Sequence, residues 1–152
     1  MSNGHVSLER LYLKDASFES PRSPGVFTEA WKPEMQLDIN SRANGVGDNL
    51  FEVVLTVTLR AKLENGKTAF IIEIQEAGVF RIEGVDDQTR QRVLGTVCPN
   101  TLFPYVRETI DSLSVRGGFP AVHLAPVNFD ALFAQALAQQ EGSQDPPGGV
   151  TH

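Results

Sequence analysis

The 152-residue chain holds one cysteine, Cys98, and three histidines, and each scarcity removes a class of chemistry. A lone cysteine excludes an internal disulfide and a multi-cysteine metal site, and it agrees with a reducing compartment. His5, His123 and His152 are scattered, two of them near the ends, a spacing that suits no metal. Bases are outnumbered, 13 Lys and Arg against 19 Asp and Glu, for a formal charge of -6. Phosphate backbones are bound by neutralising them with Lys and Arg, so nucleic acid is excluded as a partner. Half of the excess lies in the last quarter, where Asp130, Glu141 and Asp145 meet no Lys or Arg. No apolar run approaches the roughly 20 residues that span a bilayer, and Met1-Ser2-Asn3-Gly4-His5 lacks the basic then apolar pattern of a secretory leader. The expectation is a cytoplasmic protein without direct membrane insertion.

What is present suits one domain with a real core, since 41% of the residues are hydrophobic and 21% charged. From 51 to 63, Phe51, Val53, Leu55, Val57, Leu59, Ala61 and Leu63 alternate with a second set, the period of a strand with one apolar face. Asn65-Gly66 follows and predicts a type I′ hairpin turn, with a second strand over 68–82. That turn pairs Leu59 with Ile72, Val57 with Ile74 and Phe51 with Phe80 on one face, and Thr58 with Glu73 and Thr56 with Gln75 on the other. A slip of one residue would mix the faces.

Met35, Leu37 and Ile39 predict a shorter strand upstream. Residues 6–19 are strand-like but change phase between Leu8 and Leu11, which a bulge near Glu9 or Arg10 reconciles. Between these strands, 20–30 carries Pro21 and Pro24 and reads as a non-strand crossing, and 41–49, with Gly45 and Gly47, reads as a mobile loop. After Gly84 the period becomes helical. Asp86 or Asp87 can cap a helix through Val93, Leu94, Val97, Leu102, Val106, Ile110 and Leu113. Pro99 and Pro104 predict a kink, or two helices meeting near 98–103, and Gly117-Gly118 a stop. Asn128 caps a last helix with a stripe of Phe129, Leu132, Phe133, Ala136 and Leu137. The predicted fold is α+β, a four-stranded antiparallel sheet followed by a long kinked helix and a second C-terminal helix, over 1–139, with a disordered tail over 140–152.

Catalytic signals are weak. Ala61-Lys62-Leu63-Glu64-Asn65-Gly66-Lys67-Thr68 misses a phosphate-binding loop only at its first glycine, but it lies in a strand-to-strand hairpin rather than before a helix. Cys98 could act as a nucleophile with His123 as base and Asp111 or Asp130 as orienter, yet its apolar helical setting offers nothing that lowers a thiol pKa. Asp86-Asp87 is most simply a cap. The aromatics Phe27, Trp31, Phe103, Tyr105, Phe119, Phe129 and Phe133 serve as core, and a partner subunit is the economical cover for apolar surface left over.

The run Cys98-Pro99-Asn100-Thr101-Leu102-Phe103-Pro104-Tyr105-Val106-Arg107-Glu108, then Gly118-Phe119-Pro120 and Leu124-Ala125-Pro126-Val127-Asn128-Phe129-Asp130-Ala131-Leu132-Phe133, resembles the SecB family of protein-export chaperones. Tyr12-Leu13-Lys14-Asp15, Phe18-Glu19 and Trp31-Lys32-Pro33-Glu34 extend the resemblance over about 8–140. It implies an ATP-independent holdase, a homotetramer built as a dimer of dimers, that keeps unfolded precursor proteins translocation-competent and hands them to the SecA ATPase of the Sec translocase, with no catalysis and no cofactor. It implies a client-binding groove at Trp31, Met35, Leu37, Ile39, Phe80, Phe133 and Leu137. It implies ATPase binding at Asp15, Glu19, Ile71 and Glu73, and an oligomer contact near Ile72, Ile74 and Glu76. Glu76 stands where the family more often has a neutral or aromatic residue, and the tail lacks a strongly acidic end. A chaperone dedicated to one client, such as an antitoxin, is the alternative.

Overall fold

A computed structural model of the chain describes residues 4–143. Four strands, β1 (His5–Glu19), β2 (Glu34–Gly47), β3 (Leu50–Lys62) and β4 (Thr68–Glu83), precede three helices, α1 (Asp87–Gly95), α2 (Val97–Arg116) and α3 (Phe129–Ser143). The strands make one antiparallel sheet in the order β1-β4-β3-β2.

The central hairpin has the register that period and turn position predict: Leu59 faces Ile72, Val57 faces Ile74, Phe51 faces Phe80, and Thr58 faces Glu73. The turn itself differs. Gly66 N–H donates to Leu63 O at 2.8 Å and Leu63 N–H to Lys67 O at 2.9 Å, with Gly66 at φ 78°. This is a three-residue loop closed by a left-handed glycine, not a type I′ pair. Ala69, which is skipped between the Ala61–Phe70 and Lys62–Thr68 pairs, is a bulge that restores the phase.

Two further departures lengthen the sheet. Residues 41–47 are not a loop: β2 continues through them, Ser41 opposite Leu55 and Ala43 opposite Val53, and the chain reverses at Asp48 and Asn49, the latter at φ 59°. β1 carries the expected bulge at Glu9 and a second at Lys14. Together they keep Val6, Leu8, Leu11, Leu13, Ala16 and Phe18 on the side of the even-numbered β4 residues, which are their register partners.

That side is closed over β3 and β4 by α2, whose Leu102, Val106 and Ile110 are fully buried against Leu55, Leu59, Ile72, Ile74 and Phe80. Asp86 caps α1, its Oδ1 accepting from Thr89 N–H at 2.7 Å. α1 and α2 meet at Thr96 (φ -127°, ψ -65°), just upstream of the predicted 98–103. Pro99 sits in the first turn of α2, where no donor is needed, and Pro104 lies inside the helix. The stop is a Schellman turn: Phe119 N–H reaches Ser114 O and Gly118 N–H reaches Val115 O, both at 3.0 Å, with Gly118 at φ 91°. A Cβ on Gly117 would overlap the Phe18 ring, with Cε1 at 2.7 Å, so this glycine lets β1 and the helix end touch. Asn128 caps α3 through Ala131 N–H at 3.0 Å. α3 runs on to Ser143, past the expected domain end at 139, and the rest of the expected tail lies outside the described residues.

Candidate functional site

β1, β2 and α3 are left largely uncovered by α2, and β2 and α3 face each other across open space. β2 presents Met35, Leu37 and Ile39 on the helix side, opposite Ala61, Leu59 and Val57, and α3 carries its stripe across from it. The space between them is an open groove of about 630 Å³ whose apolar lining is Ile39, Leu94, Phe129, Leu132, Phe133 and Ala136. Leu132 is 41% exposed. Burying such side chains is worth roughly 1.5–3 kcal/mol each, so the groove holds unrealised affinity for apolar segments. Arg42 is the one charged residue in its lining.

Of the expected groove residues, Ile39 and Phe133 meet here, and the exposed Leu37 and Leu137 flank them on the same strand and helix. Trp31 and Met35 lie farther along. Met35 is about 13 Å from Ile39 at strand rise, and Trp31 packs in an aromatic cluster, 5.2 Å from the Phe119 ring and 6.2 Å from that of Phe70. Phe27, half-exposed, packs against Phe119 with its ring tilted, centroids 5.2 Å apart. Phe80, also expected in the groove, is at 2% exposure in the core with Leu102 and is not part of this lining. Ser41, Ala43, Leu94 and Gly95 line the groove without having been singled out, because the first two were assigned to a loop and the last two sit in a helix with little pattern.

The other face of the sheet has no helix on it. Asp15 pairs with Gln75, Ser17 with Glu73 and Glu19 with Ile71, so Asp15, Glu19, Ile71 and Glu73 gather in one patch. Asp15 and Glu19 are exposed, and Glu73 accepts from Thr58 Oγ1 at 3.3 Å. Farther along this face Tyr12 O–H donates to Glu52 and Lys14 Nζ pairs with the same carboxylate at 2.8 Å. Lys14 foremost holds the Glu52 carboxyl below its usual range, and burial and Glu52 push the Tyr12 hydroxyl up to about 12.

The set expected near an oligomer contact lies on the helix side of β4. Ile72 and Ile74 are at 0% exposure within this chain, in the core beneath α2. Glu76 shares their face at 5% exposure, and burial first and Glu108 second raise its pKa.

The nucleophile candidate fails on geometry. Cys98 is fully buried and burial pushes its thiol up to about 12. His123 is an exposed ring 3.4 Å from Asp111, which lies about 20 Å along α2 from Cys98 at helical rise. Asp111 instead accepts the N–H groups of Val122 and His123 at 2.9 and 3.0 Å, tying the crossing segment to α2. Residues 61–68 form the hairpin described above. Among the described residues no cluster of three or more His, Cys, Asp or Glu is placed to hold a metal, and no helix is long and apolar enough to cross a membrane.

A structure of the Mycobacterium tuberculosis SecB-like chaperone in complex with a ChAD peptide from the HigA1 antitoxin shares this fold, with a TM-score of 0.67 at 16% identity over 81% of this chain and 91% of that one. The Protein-export protein SecB of Hahella chejuensis is 55% identical over 141 residues, 93% of this chain and 88% of that protein. The corresponding protein of Marinomonas sp. is 51% identical over 136 residues, 90% and 85% of the two. The family model described as Preprotein translocase subunit SecB matches residues 2–140, and the chain belongs to the SecB family.

Proposed function

We propose that this chain is an ATP-independent holdase that binds unfolded precursor proteins and keeps them competent for export. The observation that carries the reading is the apolar groove between β2 and α3, open along one side and continued along β2 by Leu37 and Met35 toward the aromatic cluster of Trp31, Phe27 and Phe119. A holdase needs no bond chemistry. Binding the unfolded state and not the folded one withdraws the client from folding by mass action. Trp31, Met35, Leu37, Ile39, Phe133 and Leu137 are proposed as its contacts.

Assembly through the remaining apolar surface is part of this reading. Val6, Leu8 and Leu13 on β1 are 38–50% exposed, and Val97, Tyr105 and Val115 of α2 are 45–58% exposed within about 80° of one face at 100° per residue. A second copy of the chain covers both, and a dimer of dimers gives several weak grooves whose joint occupancy raises avidity. Ile72 and Ile74 then act as the floor under that surface. The patch of Asp15, Glu19, Ile71 and Glu73 is proposed to dock the SecA ATPase from the cytoplasm, and the net charge of -6 per chain, about -24 in a tetramer, favours basic partner segments.

Native mass spectrometry of the protein with and without a chemically unfolded precursor tests the whole. A tetramer that takes up the precursor is expected, and Glu73→Lys should lose ATPase binding while retaining the precursor. A monomer that leaves precursor refolding unslowed would overturn the reading.

A further inference from the structure

α3 has few attachments for a helix that forms a wall of the groove. Within 129–140 only Phe129 is buried and only Phe133 half-buried, and every other side chain is exposed. Phe129 meets the Phe103 ring edge-on at 5.9 Å. Phe133 lies on the end of α1: a Cβ on Gly95 would overlap its ring, with Cε1 at 2.8 Å and Cδ1 closer. Above it the Arg92 guanidinium stands 5.5 Å from the ring centroid. Gly95 is thus the floor of a seat into which one aromatic ring fits because no side chain occupies it.

The seat faces the groove. Gly95, Leu94 and Phe133 line it on one side and Ile39 on the other. α1 is anchored by the Asp86 cap and by Val93 and Leu94 packed on the core, so it is the fixed reference from which α3 is held. We propose that Gly95 is a positioning residue for client binding: the ring of Phe133 seated on its bare backbone sets the distance between α3 and β2. This rests on the groove being the client site.

Gly95→Ala separates the two claims. Alanine favours helix over glycine by about 1 kcal/mol, so α1 keeps its fold and the new methyl acts on the Phe133 ring. Amide hydrogen exchange of the unliganded protein is expected to quicken about tenfold across 129–140, near the low end of the effect of overpacking one contact, with the core amides unmoved. Affinity for an unfolded precursor is expected to fall because the methyl displaces the Phe133 ring and changes the width of the groove in its closed state. Gly95→Ala combined with Phe133→Leu, which removes the ring edge, should recover much of the α3 protection. Arg92→Ala, at an exposed position, should loosen α3 about threefold, as loss of one cation–π contact implies. Unchanged α3 exchange in Gly95→Ala overturns the positioning role and leaves the groove reading standing. Faster α3 exchange with undiminished precursor affinity overturns the positioning role in client binding, and undiminished affinity in Phe133→Ser as well overturns the groove reading.

Discussion

β4 and β2 carry the same alternation on the same side of the sheet, and α2 and α3 both have apolar residues at helical spacing. Ile72 and Ile74 are nevertheless fully buried under α2, whereas Leu37 on β2 is 38% exposed and Leu132 on α3 is 41% exposed. Amphipathic elements bury themselves only when an opposite surface reaches them. α2 lies over β3 and β4, and the sheet extends beyond this cover by one edge strand on each side, β1 and β2. In this molecule the closed half holds the packed core, and the open half is the surface proposed above for another chain.

The largest effect that sharpens this contrast is in the closed half. Ile110→Ala is expected to lower unfolding free energy by about 2–5 kcal/mol, the range for a truncated core aliphatic, read from urea denaturation. Leu132→Ser in the open half should stay within about 0.5 kcal/mol while weakening retention of an unfolded precursor. Equal destabilisation by the two would erase the distinction between the halves.

Glu76 probes the closed half differently. Among the described residues it is the only buried charged side chain, and burial, then Glu108, raise its pKa above the ordinary 4.5. A carboxyl whose folded pKa is raised favours folding most at and below the ordinary value, and that favour is lost as pH climbs through the folded pKa. Glu76→Gln should therefore be more stable than the parent at neutral pH, with the gap closing as pH falls toward 4.5. Denaturation midpoints measured for both across that window check it, and a gap independent of pH would mean that Glu76 is not held against its charge.

The smallest global effect is expected at the α3 cap. Asn128→Ala removes the acceptor of Ala131 N–H, a loss of about 0.5–2 kcal/mol to the helix. Because α3 closes so little surface, exchange in 129–140 should quicken with the urea midpoint nearly unmoved. A matching fall in that midpoint would make α3 part of the core.

The hairpin register, the Glu9 bulge and both helix caps were legible because each rests on local rules with a consequence a few residues away. The far end of β2 was not, since Ser41, Ala43 and Gly45 are small or polar residues on an edge strand, where little packing is required of them. The two-residue turn was the wrong mechanism for the right register: a third loop residue and the bulge at Ala69 cancel. At the site, alternation placed Phe80, Ile72 and Ile74 on the correct face but carried no information on how far α2 reaches across it. Gly95 was silent because its part depends on a ring 38 positions later in the chain.

The bulge at Lys14 has a consequence for how this protein tolerates insertion and deletion. Leu11 and Leu13 point to the helix side; were Lys14 paired in the ladder instead of bulged out of it, Asp15 and Glu19 would follow them, and Phe18 would leave the cluster it forms with Phe70 and Phe119. One bulged residue thus divides β1 into two segments that obey opposite parities. Flattening the bulge with Lys14 kept would turn Asp15 and Glu19 to the wrong side of the sheet, whereas deleting Lys14 would leave both segments of β1 on their present faces.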